Sequence, residues 1–152
     1  MKKLNSYSFV VTFVWIGFLL AISFMEAPLK FQAESVTTAI GVEIGKIIFR
    51  ALNTIELVFS IYLIVQIKYI YKLDTRLFVA VLLLLLIILT QSFYLLPILD
   101  QYADIVISGG SSPSDIAHIT YVLFEVIKLF VLFFVGFRQL LLFKREILKE
   151  YH

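Results

Sequence analysis

Four stretches of this chain are each apolar over about 20 residues, the length a helix needs to cross a hydrocarbon layer about 30 Å thick. They are residues 8–25 (SFVVTFVWIGFLLAISFM), 47–67, 77–99 (which holds VAVLLLLLIILT) and 116–137. Lipid offers no hydrogen bonds to an unpaired backbone, so each stretch is expected to be a helix. A membrane barrel would instead need alternating segments of about 10 residues, and none is present. The expectation is an all-α, four-transmembrane-helix bundle forming one integral membrane domain over residues 1–152. The first stretch is longer than the 7–15 apolar residues of a signal peptide, and Met25-Glu26-Ala27-Pro28 is no small-residue cleavage site, so it reads as a retained span.

Composition narrows the function. Hydrophobic residues make up 61% and charged residues 16%, against about 45–50% and about 25% in soluble domains. The absence of cysteine removes disulfides, zinc–thiolate sites, iron–sulfur clusters and a cysteine nucleophile. A net charge of +2, with the bases at helix ends, gives no footprint for nucleic acid. No phosphate-binding glycine loop and no G-x-S-x-G elbow occurs, so a non-enzymatic protein without metal or cofactor is expected. His118 and His152 are the two histidines. A bis-histidine haem needs two inside the bundle.

Orientation follows from Lys and Arg. Lys2 and Lys3 precede the first span; Lys68, Lys72 and Arg76 surround Asp74 between the second and third; Arg138, Lys144, Arg145 and Lys149 lie in the tail, residues 138–152. The stretch between the third and fourth spans carries Asp100, Asp104 and Asp115 without a base. Both termini are expected in the cytoplasm, in a bacterial-type inner membrane. The tail reads as an amphipathic extension of the fourth helix lying at the membrane surface. Pro28 and Pro97 are expected to end or kink the odd-numbered helices. Ser112-Pro113-Ser114-Asp115 reads as the cap and first turn of the fourth helix.

Two spans carry charges that lipid penalises by about 2.5–3.5 kcal/mol each. Glu43, Lys46, Arg50, Asn53 and Glu56 follow one another at spacings of three, four, three and three, and His118, Tyr121, Glu125 and Lys128 at three, four and three. Each set reads as a stripe on one helix face. One reading is interhelical glue, with Glu43–Lys46 and Glu125–Lys128 as local pairs and Arg50 balancing Glu56. The other is an outward-facing polar pocket between the second and fourth helices. There Lys46 and Arg50 would contact a small polar or anionic ligand, Asn53, Glu56 and Glu125 would hold the bases in place, Lys128 would line the pocket, and His118 and Tyr121 would form the mouth. Gly41-x-x-x-Gly45 is expected to allow close helix contact. The bilayer is the certain partner on this reading, and a second copy of the chain could cover the aromatic-rich first helix or the lipid-like third.

Trp15-Ile-Gly17, Ala27-Pro28-Leu-Lys-Phe31 and Gly45-Lys-Ile-Ile-Phe49-Arg50, with Pro97 and His118 in the second half, resemble the domain of unknown function 4149 family of small four-helix membrane proteins. That resemblance implies fold and membrane residence and no activity. Arg50-Ala-Leu-Asn53-Thr-Ile-Glu56 is more faintly similar to the second helix of MAPEG proteins, the membrane glutathione transferases. It would imply glutathione binding by those three polar residues. A shift of 72 residues lays Phe49 on Tyr121, Asn53 on Glu125 and Glu56 on Lys128. A two-fold repeat of helix pairs of this kind would set the stripes of helices two and four facing each other.

Overall fold

The computed structural model describes the backbone of residues 8–150 and the side chains of residues 8–148. Lys2, Lys3 and His152, and the side chains of Lys149 and Glu150, lie outside that range. Among the described residues there is no strand, and four helices run α1 Ser8–Gln32, α2 Thr38–Leu73, α3 Thr75–Ile107 and α4 Ile116–Glu150. Each is long and apolar enough to cross a membrane. This is the architecture of a multi-pass membrane protein. A belt of apolar side chains faces outward, Val65, Phe93 and Phe130 among the most open at 72%, 76% and 70%. In water such a surface would aggregate; in lipid it is the normal exterior.

All four helices overrun the expected spans. Asp100 and Asp104 therefore lie on α3 itself and not in a loop. The tail continues α4 as one helix to Glu150. The start of α4 differs from expectation: it begins at Ile116, with Ser114 Oγ accepting from the Ile116 amide at 3.1 Å, while Ser112 instead bonds the Ser114 carbonyl. Gly109, at a φ of +92°, makes the turn after α3.

The prolines do not end their helices. Each is preceded by a π-helical segment, Leu20–Glu26 before Pro28 and Gln91–Leu95 before Pro97. The Ala27 amide reaches the Ile22 carbonyl and the Leu96 amide reaches the Gln91 carbonyl, each five residues back. Proline lacks the amide that an α turn would use. The wider turn absorbs that loss and adds one residue, rotating the helix face by about 100°. Both odd-numbered helices thus carry the same device at the same depth.

The bundle packs α1 on α4, α2 on α3, and α3 on α4. Trp15, Ile16, Leu63, Ile70, Leu84, Ile88, Leu132 and Val135 fill its centre. Toward the terminal end, Ser8 donates to Gln66 at 2.6 Å and Thr12 to Gln139 at 2.7 Å, tying α1 to α2 and α4. At that end Asp74 caps α3, its Oδ1 accepting from the Arg76 and Leu77 amides at 2.9 and 3.2 Å. Its Oδ2 accepts from Arg138 of α4. Burial alone would push the Asp74 carboxyl up. The Arg138 hydrogen bond, the two amides and the Arg138 charge outweigh it and hold the group below the usual carboxylate value.

Candidate functional site: a buried charge cluster beneath an open cleft

The deepest polar side chains converge at mid-bundle. Lys128 of α4 is fully buried, and its ammonium uses all three donors: Glu56 of α2 at 2.7–2.9 Å, Gln91 of α3 at 2.8 Å and Glu125 of α4 at 2.7 Å. Glu56 Oε1 also accepts from Trp15 Nε1 of α1 at 3.1 Å. Gln91 Nε2 donates to Glu125 Oε1 at 2.8 Å, and Ser23 Oγ pairs with Glu125 Oε2 at 2.7 Å. Every helix contributes. The π turns supply Ser23 and Gln91, and a third π-turn side chain, Ser92, accepts from Asn53 Nδ2 at 2.8 Å. An unmet polar group in a low-dielectric interior is costly, so so complete a network holds the four helices in one register.

Nearer the acidic end, two ion pairs tie α2 to α3: Lys46 to Asp104 and Arg50 to Asp100, each at 2.5 Å. The bases are four residues apart and the acids are four apart on the antiparallel neighbour, so one turn of each helix matches one turn of the other.

Between these pairs and the cluster a cleft of about 650 Å³ opens among all four helices. Its walls are mostly apolar and include Phe24, Phe31, Phe49 and Tyr102; Ser23, Tyr121 and Glu125 lie at its inner end. The Tyr121 hydroxyl is buried beside Glu125. Phe49 and Tyr121 meet edge to face, with ring centroids 5.6 Å apart. Lys30 folds across the cleft, its ammonium 5.5 Å from the Phe31 ring and 5.4 Å from the Phe49 ring, with Glu26 at 3.5 Å. A side chain at Gly41 would collide with Phe31, and one at Gly45 would collide with the Lys30 ammonium. The glycine pair therefore makes the expected close contact, with the end of α1.

The two sequence stripes divide. Glu56, Tyr121, Glu125 and Lys128 come together as expected, and Glu125–Lys128 is the local pair read from the spacing. Asn53 lies beside them on Ser92. His118 and Lys46 line the cleft. Arg50 does not pair with Glu56: it turns outward to Asp100, with its side chain 58% exposed. Lys46 reaches Asp104 and not Glu43, which is exposed. The sequence marks Trp15 only as part of the Trp15-Ile-Gly17 motif and gives Ser23 and Gln91 no site role, although both stand out as lone polar residues in apolar spans. The equivalences read from the 72-residue shift coincide with contacts, since Phe49 touches Tyr121 and Glu56 touches Lys128.

No family model, no curated protein and no solved structure matches the chain.

Proposed function

We propose that this is a non-enzymatic membrane protein that binds a small, largely apolar molecule with a polar head group in the cleft, the head directed at Glu125. The cleft itself carries this reading: about 650 Å³ of open volume, mostly apolar walls and a few convergent polar groups are the usual make-up of a small-molecule site. Lys46 and Arg50 are engaged by Asp104 and Asp100. The inner groups Ser23, Tyr121 and Glu125 therefore take over the recognising role. Basic residues at the terminal end and acids at the other fit termini in the cytoplasm and a cleft that opens outward, in a bacterial cytoplasmic membrane. By this reading the chain also shares the fold of the small four-helix proteins of unknown function that it resembles.

The cross-helix pairs favour a second reading, an assembly subunit whose charges are glue. Native mass spectrometry of protein extracted from its own membrane separates the two. A molecule retained by the wild type and lost from a folded Val122→Trp variant, whose indole would fill the cleft, is expected. A bare wild-type chain would leave the assembly reading.

A further inference from the structure

Three seams around the cleft are fastened. Lys46–Asp104 and Arg50–Asp100 close α2 on α3. Phe31 and Lys30 sit against Gly41 and Gly45 and close α1 on α2. Leu95, Leu96 and Tyr121 pack together and close α3 on α4. The seam between α1 and α4 is different. Its outermost tie is Ser23 to Glu125, and farther out no hydrogen bond, ion pair or ring contact joins the two helices among the described residues. The cleft walls agree. Every lining residue that α2 and α3 contribute is buried or half-buried, whereas Phe24 of α1 and Val122 of α4 are 38% and 42% exposed. Phe24 adjoins Ser23, and Val122 is one turn from Glu125, so this slit lies at the depth of the charge cluster. At that depth the surroundings of a membrane-spanning bundle are hydrocarbon.

A space walled by apolar side chains and open sideways is poorly left empty, because its lining forgoes the dispersion contacts of packed atoms. Resting on the ligand reading above, we propose that the occupant is a single-chain amphiphile drawn from the surrounding leaflet. Its uncharged, hydroxylated head lies at Ser23, Tyr121 and Glu125, and its acyl chain leaves the cleft between Phe24 and Val122. The mouth of the cleft meets water and the slit meets hydrocarbon, and an amphiphile suits both. The inner end selects the head. Lys128 spends its three donors on Glu56, Gln91 and Glu125, so a carboxylate or phosphate there would meet Glu125 with no free base beside it. Lys30 is seven residues beyond Ser23, about 10 Å along α1, and lies against Phe31 and Phe49. A hydroxylated head can donate to a Glu125 oxygen and to the Ser23 or Tyr121 oxygen.

The test places the full chain in lipid nanodiscs with a monoacylglycerol that carries a photoactivatable diazirine, in one probe beside the head and in another at the chain end. Peptide mass spectrometry locates the crosslinks, and only labelling that excess unlabelled monoacylglycerol removes is counted. The near-head probe should label Phe24 or Val122, and this label should be lost in a folded Val122→Trp variant. The chain-end probe should give no competed label inside the cleft. The matched fatty acid, with the same chain and a carboxylate head, should compete about tenfold more weakly, because its charge would be unpaired beside Glu125. Competed chain-end labelling of Phe49 or Leu99, on the closed side of the cleft, would overturn the slit and leave the ligand reading standing. Equal competition by the fatty acid would overturn the uncharged head. If neither probe gives competed labelling while protein from its own membrane still retains a molecule in native mass spectrometry, the amphiphile alone is overturned. A bare chain in that measurement as well would overturn both readings. The wild-type labelling pattern decides the slit, so a poorly folded variant does not rescue the proposal.

Discussion

Replacing Lys128 with methionine removes the one cation from the cluster while keeping most of its volume. Glu56 is then a fully buried carboxylate whose remaining partner is the Trp15 indole at 3.1 Å. Breaking a buried pair by deleting one member costs about 3–5 kcal/mol. An independent bound comes from letting Glu56 take up a proton instead. From an ordinary carboxyl value of about 4.3, protonation at pH 7 costs about 3.7 kcal/mol, falling by about 1.4 per pH unit as the solution becomes more acidic. The two figures agree, so Lys128→Met should lose about 3–4 kcal/mol at neutral pH. The assay is reversible unfolding in mixed micelles with rising dodecyl sulfate, read by the fluorescence of Trp15, the single tryptophan. A second substitution identifies which carboxylate depends most on Lys128. Adding Glu56→Gln should restore more than half of the loss, because it removes the stranded charge. Adding Glu125→Gln should restore less, because Glu125 keeps Gln91 and Ser23 as donors when Lys128 is gone. A loss under about 1 kcal/mol, or equal rescue by the two glutamines, would refute the reasoning.

The same architecture sets other expectations. Asp74 is held below the ordinary carboxylate value, so its contribution is complete above about pH 4 and is lost as pH falls through that lowered value. Thermal unfolding between about pH 5 and 2 should show this loss in the wild type and not in Asp74→Ala, which should also lose about 1–3 kcal/mol at neutral pH from the missing cap and Arg138 pair. A Cβ at Gly41 would run into the edge of the Phe31 ring. Gly41→Ala should therefore cost about 1–3 kcal/mol in the micelle assay, whereas Gly17→Ala, with nothing within 4 Å, should be neutral or gain up to about 1 kcal/mol. Trp15 is fully buried and bonded to Glu56, so its emission should be blue-shifted and resist acrylamide quenching. A red-shifted, readily quenched tryptophan would contradict the packing of α1.

Hydropathy made the four helices legible, since nothing but a helix satisfies about 20 apolar residues in lipid. The Glu125–Lys128 pair and the meeting of the two stripes were legible from spacing and from the 72-residue shift. Arg50 was misplaced for a geometric reason. Steps of three, four, three and three carry the chain 13 residues from Glu43 to Glu56, and at about 100° per residue the two ends of the stripe lie about 140° apart around the helix. Glu43 and Arg50 therefore end on the outside, while Glu56 is at the centre. The true partners of Lys46 and Arg50 were visible as Asp100 and Asp104, acids at the same four-residue spacing on the next helix. The π turns were not legible. Local sequence marks Pro28 and Pro97 as breaks, and only the packed bundle makes a wider turn the cheaper solution. Ser23 and Gln91 reach the cluster from those turns, so their roles stayed hidden with them.

A ligand cleft of this kind admits water from the acidic end and stops at Glu125. The chain has no cysteine, so single cysteines can map it directly with a membrane-impermeant maleimide applied to each side of sealed vesicles. The account predicts labelling of Ser23→Cys, His118→Cys and Val122→Cys from the side opposite the termini, and none from either side at Ser60→Cys or Leu132→Cys, which lie below the cluster. Unreactive Ser23→Cys and Val122→Cys, or labelling of them from the terminal side, would contradict it.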